Sequence, residues 1–171
     1  MTTKNRLMTA LFRDGSDAEK AYRELLNRNF SQNEISFVTS DTTRNKYFIA
    51  EKSTTEKAAE GTGIGAAVGG AVGAIVAAIA AIGTSLALPG LGLIIAGPIA
   101  AALAGAGAGG ATGGLVGALI GAGLSENEAA EYEKALREGG IILGFNPRNE
   151  AEANEVRKVW ESYNGEMIYS Y

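Results

Sequence analysis

No Asp, Glu, Lys or Arg occurs between Glu60 and Glu126, and much of that stretch is glycine and alanine on a four-residue beat. Gly61, Gly65, Gly69 and Gly73 open a first run that continues through Ala77 and Ala81. A second run starts at Gly97 and Ala101 and passes through Gly105, Gly109, Gly113, Gly117 and Gly121. Four residues is close to one helical turn, so each run draws a bare groove along one face of a helix. A bare groove lets a second backbone come close, which is the physical content of the GxxxG motif.

The tract is long enough for two helices. Residues 61–83 would span about 30 Å as a helix. The segment TSLALPGLGLIIAGP follows, and its Pro89-Gly90, Gly92 and Gly97-Pro98 read as turn material. A second helix is expected from about Pro98, a favourable first-turn residue, to Gly123. Ile64, Val68, Val72, Ile75 and Ile79 lie off the first groove; Leu103, Leu115, Val116, Leu119 and Ile120 lie off the second. Glycine costs about 1 kcal/mol relative to alanine in a helix interior. Packing must offset that cost: helix on helix, subunit on subunit, or helix in lipid.

The flanks predict a small α/β unit. Alternation over residues 6–13 reads as a strand, and Ser16 with Glu19 reads as a capping box opening a helix with an Ala18, Ala21, Tyr22, Leu25, Leu26 stripe. Residues 34–39 read as a second strand, and 46–51 as a further short strand or the lead into the tract. Beyond the tract, Ser125 with Glu128 forms another capping box, and Ala129, Tyr132, Ala135 and Leu136 make a stripe ended by Gly139-Gly140. Residues 141–145 are apolar on both faces and so read as a central strand. Asn149 with Glu152 caps a last helix that turns inward Val156, Val159, Trp160 and Tyr163, and Asn164-Gly165 leads into a final strand.

This order predicts an α+β fold, a ferredoxin-like split β-α-β sandwich with a long glycine-zipper helical hairpin inserted between the second and third core strands. The units are then 1–55, the first half of the α/β domain; 56–124, the hairpin; and 125–171, the second half. Neither half buries enough surface alone, so both are expected in one sheet.

Composition narrows the chemistry. The chain has no histidine and no cysteine, which removes the commonest general base, the usual transition-metal ligand and any thiol nucleophile or disulfide. A net charge of −4 without a basic block disfavours nucleic acid as a partner. GTGIGAAVGG at 61–70 lacks the preceding apolar strand that a dinucleotide fingerprint needs. Glu126, Glu128, Glu131 and Glu133 have the spacing of a solvated helix face, not of a cation loop. No catalytic, cofactor or metal site is therefore expected, and the chain reads as a non-enzyme. The N-terminus lacks a secretory h-region, so a cytoplasmic location is expected, at the inner face of the membrane if the tract inserts.

With these elements in place the chain resembles a bacterial general-stress-protein family that includes low-temperature-induced and heat-induced proteins. The matching residues are ALFRDGSDAEKAYRELLNRNFSQNEISFVTSD, the tract with its PGLGLIIAGP centre, and LSENEAAEYEKALREGGIILGF. The resemblance covers nearly the whole chain; it implies a role in stress physiology and carries no catalytic motif. Three readings follow for function. The hairpin enters a bilayer and self-associates there, although its flanks lack a positive-inside signal. Alternatively, a soluble homo-oligomeric shell or filament uses hairpins as its apolar wall, which a mean hydropathy of +0.05 permits. The third is a small-ligand module on the sheet. The expected partner is the protein itself, with lipid or a hydrophobic guest as a second. The residues expected to pack are Gly61, Gly65, Gly69, Gly73, Ala77, Gly97, Ala101, Gly105, Gly109, Gly113, Gly117 and Gly121.

Overall fold

Period-two alternation places Met8, Ala10 and Phe12 on one side of a strand and Leu7 and Leu11 on the other, and all five are buried. A strand apolar on both faces needs cover on both. The fold supplies it with helices on each side of one sheet. The computed structural model describes residues 7–43, 86–88, 92–105, 115–117, 119–121 and 123–170. Its elements are β1 (Met8–Phe12), α1 (Gly15–Asn27), a 3-10 turn (Gln32–Glu34), β2 (Ile35–Ser40), β3 (Leu86–Leu88), β4 (Leu93–Ala96), α2 (Pro98–Gly105), α3 (Glu126–Arg137), β5 (Ile141–Phe145), α4 (Glu150–Ser162) and β6 (Glu166–Ser170). Residues 115–117 and 119–121 are also helical.

Among the described residues all strand pairings are antiparallel, and the strand order is β3-β4-β2-β5-β1-β6. The α+β class stands. The six-strand order is not that of the ferredoxin-like sheet expected from the flanks. The difference comes from the tract, whose centre is not merely a turn between helices. Leu86–Leu88 pairs with Leu93–Ala96, and Phe37 to Ser40 pair with Ala96 to Leu93. Two short apolar runs around Pro89-Gly90-Leu91-Gly92 make a hairpin, with Gly92 at φ +59°. Docking it on β2 satisfies a strand edge that would otherwise be open. The stretch 56–124 is thus not wholly a helical hairpin, since it gives two strands to the sheet that both flanks share.

One face carries α1 and α4. Its cluster joins Met8, Phe12, Ile35, Phe37, Ile94, Leu143 and Phe145 to Tyr22, Leu25, Val156 and Trp160. Trp160 meets Phe12 and Phe145 edge-on, with ring centroids 5.9 and 5.4 Å apart. The opposite face joins Leu11, Val38, Ile95 and Ile142 to Ile99, Ala100, Leu115, Leu119, Leu124, Tyr132 and Leu136. Ile99, Ala100, Leu115 and Leu119, from the described helical residues of the tract, are therefore core, packed on the chain's own sheet together with α3.

Helix ends follow the local chemistry. Ser125 and Glu128 make the expected capping box, and Asn149 accepts from the Glu152 N–H. At α1 the expectation is corrected. The cap is Asp14, which accepts from the Ser16 N–H at 2.7 Å, and Glu19 instead lies buried against Arg23. Asp14 reaches the first free amides a turn position earlier than Ser16 could. Schellman closures end α1 at Asn29, α3 at Gly139 and α4 at Asn164, each with positive φ. The helical residues 119–121 end the same way: Gly123 has φ +111°, and the Leu124 N–H reaches Leu119 O at 3.0 Å.

Candidate self-association surface

Helix α2 starts at a tight approach. Gly97 has φ +79°, and a Cβ there would overlap the carbonyl of Ile35, 2.8 Å from its carbon. Pro98 then takes the first helical position, and the Ile99 N–H donates to Ser36 Oγ at 3.2 Å. Ile99 and Ala100 turn to the sheet, while Ala101 is exposed. Gly105, four residues on, falls in phase with Ala101 within α2.

The same geometry returns near the end of the tract. Leu115 and Leu119 are buried on the sheet at 1% and 0% exposure. Gly117 and Gly121 lie on roughly the opposite side of that helical turn. Among the described residues no atom lies within 4 Å of where a Cβ on either glycine would sit. Ile120, beside them, is 42% exposed, and Val116 is half-buried. A bare strip bordered by branched apolar side chains therefore points away from the domain that carries it.

The expected packing residues divide accordingly. Gly117, Gly121 and Ala101 face outward. Gly97 does not share that groove; its lack of a side chain is accounted for inside the chain, by backbone contact with β2. Gly61, Gly65, Gly69, Gly73, Ala77, Gly109 and Gly113 lie outside the described residues, as does the expected strand at 46–51. The sequence pattern missed Ser36, the buried hydroxyl that receives the first helical amide; a serine in an apolar strand was the available signal.

Several polar groups elsewhere on the described surface are tied to the fold. Glu128 serves the cap, Glu131 accepts from the Tyr169 hydroxyl at 2.9 Å, and Glu133 pairs with Arg137. Among the described residues no group of three or more acidic side chains could hold a metal ion. Burial, with a smaller push from Glu19, raises the Tyr22 hydroxyl to about 12. Burial and then the bond to Glu131 raise Tyr169 to about 12. Both phenols are neutral at physiological pH, so neither is an activated nucleophile. Arg13 joins Glu138 and Glu166 at 2.8 and 3.2 Å, and its hydrogen bond holds the Glu138 carboxyl low. Among the described residues no helix is long and apolar enough to cross a membrane. No family model, curated protein or solved structure matches the chain.

Proposed function

We propose that this is a non-enzymatic structural protein that self-associates through the outward groove of its glycine-rich tract. The observation that carries the reading is the pair Gly117, half-buried, and Gly121, exposed, each with nothing near its missing Cβ among the described residues and bordered by exposed Ile120. Exposed glycine in a helix is costly and exposed isoleucine is unfavourable. Both costs are offset when a second apolar backbone closes on the strip.

The burial of Leu115 and Leu119 on the protein's own sheet favours assembly in water, as a closed particle or filament, over a bilayer-spanning hairpin for this part of the tract. A helix with one face on a polar-flanked domain is not surrounded by lipid. A stress-related role is proposed on the sequence resemblance alone. We also infer that the flanks follow a split β-α-β plan, since β5 lies between β1 and β2, and that β3 and β4 are an edge addition to it.

Detergent-free extraction followed by size exclusion with light scattering tests the proposal. A soluble particle of several subunits supports it. A strictly monomeric protein at high concentration rejects self-association, and recovery only from detergent-treated membranes rejects the soluble form.

A further inference from the structure

The chain contains a single Asn-Gly step, Asn164-Gly165, at the turn from α4 into edge strand β6. The turn suits both residue types. Asn164 has φ +57°, a left-handed conformation that asparagine tolerates better than most side chains. A Cβ on Gly165 would sit 2.8 Å from Trp160 O, so only glycine fits beside the last turn of α4.

That pairing is also chemically labile. In an open chain the deprotonated Gly165 amide nitrogen can attack Asn164 Cγ. A C–N bond forms, the Cγ–Nδ2 bond breaks and ammonia leaves. Water then opens the cyclic imide at either carbonyl, giving aspartate or isoaspartate. The missing Cβ at Gly165 leaves the attacking nitrogen unhindered, and asparagine is among the residues least tolerant of heat.

The fold holds each participating group. The Gly165 N–H donates to Trp160 O at 2.8 Å, and the Asn164 N–H donates to Glu161 O at 3.1 Å. The leaving group, Nδ2, donates to Asp17 Oδ2 at 2.9 Å, on the neighbouring helix α1. The attacking nitrogen is thus kept protonated and bonded away from Cγ.

We propose that Asn164 is a modification site latched by the fold, protected while the α4–β6 turn is closed and deamidated once it opens. The change is one-way. Isoaspartate adds a backbone atom within the turn that sets the start of β6, and either product puts a new carboxylate against Asp17.

The test incubates the full-length protein at mildly alkaline pH, with and without urea. Peptide mapping follows the mass gain that marks replacement of the amide NH2 by OH, and amide exchange follows the Gly165 N–H. Asn164 should convert at least about tenfold faster in the unfolded chain than in the folded one, with Gly165 exchange rising in parallel as urea is added. Equal rates in the two states would overturn the proposal. So would conversion of Asn164 while the Gly165 amide stays protected, or an unfolded chain in which Asn164 is no more labile than the other asparagines.

Discussion

The backbone of Gly97 lies so close to Ile35 that a methyl group on it would overlap the Ile35 carbonyl, 2.8 Å from its carbon. Gly97 shares its four-residue beat with Gly117 and Gly121, which have open space at the same position among the described residues. One periodic pattern therefore contains glycines required within the chain and glycines free to meet something outside it. Gly97→Ala should cost about 3 kcal/mol, from the positive φ and the clash together. Urea denaturation of the variant checks this; an unchanged midpoint would mean that the turn into α2 relaxes freely.

The Tyr132 hydroxyl donates to Met167 O at 2.6 Å and lies 2.9 Å from Thr9 Oγ1. Met167 has φ +47°, where the register of β6 against β1 shifts. The tyrosine thus braces an irregular edge strand from the helix layer. Tyr132→Phe should lower stability by about 1–2 kcal/mol, because buried Thr9 and the Met167 carbonyl lose their partner. Hydrogen exchange should show faster opening of Glu166–Ser170 than of the central strand Ile141–Phe145.

Acidification should weaken the fold through its caps. The Asp14 carboxyl is held below its usual range first by hydrogen bonds from Ser16, and Asp17 is held low first by Lys20 and then by Asn164. Groups with depressed folded values contribute stability that is present above the unfolded value and lost as pH falls through the folded one. Stability should therefore drop as pH falls below about 4. Asp14→Ala should remove about 1 kcal/mol at neutral pH and flatten part of the acid-side loss. Chemical denaturation across that range reads both effects.

Alkali should act through the buried phenol. Tyr22 is 2% exposed, and its hydroxyl is raised from 10.0 to about 12, first by burial. The unfolded chain releases that proton earlier than the folded one, so the Tyr22 contribution is intact below the unfolded value and is lost as pH rises toward the folded one. Stability should fall between these two values. Tyr22→Phe should shrink that fall, as followed by circular dichroism during base titration.

Much of the flank architecture was legible in residue order. The Ser125–Glu128 and Asn149–Glu152 caps, the Gly139 stop and the central position of Ile141–Phe145 each rest on local chemistry, which a sequence displays directly. The start of α1 differs from the pattern's expectation because Asp14 and Ser16 are both capping residue types only two positions apart. The β3–β4 hairpin was hidden because LAL and LIIA are too short to distinguish strand from helix by periodicity. What made them strands is the free edge of β2, a tertiary fact. The apolar character of Leu115 and Leu119 was visible, but the identity of the surface they cover was not, since the same stripe suits a sheet, a sister helix or lipid. For the candidate site, the four-residue beat located Gly117 and Gly121, whereas the separation of Gly97 from them depends on backbone proximity that no spacing encodes.

Filling the groove at Gly117 and Gly121 separates self-association from every other use of these residues. Among the described residues nothing occupies the space beside either Cβ position, and leucine favours a helix over glycine, so the Gly117→Leu/Gly121→Leu protein should fold at least as stably as the parent. Its sedimentation velocity, compared with the parent at matched concentration, should show a smaller particle or the monomer. An assembly of unchanged size, in a variant with unchanged stability, would show that the strip is not where copies of this protein meet.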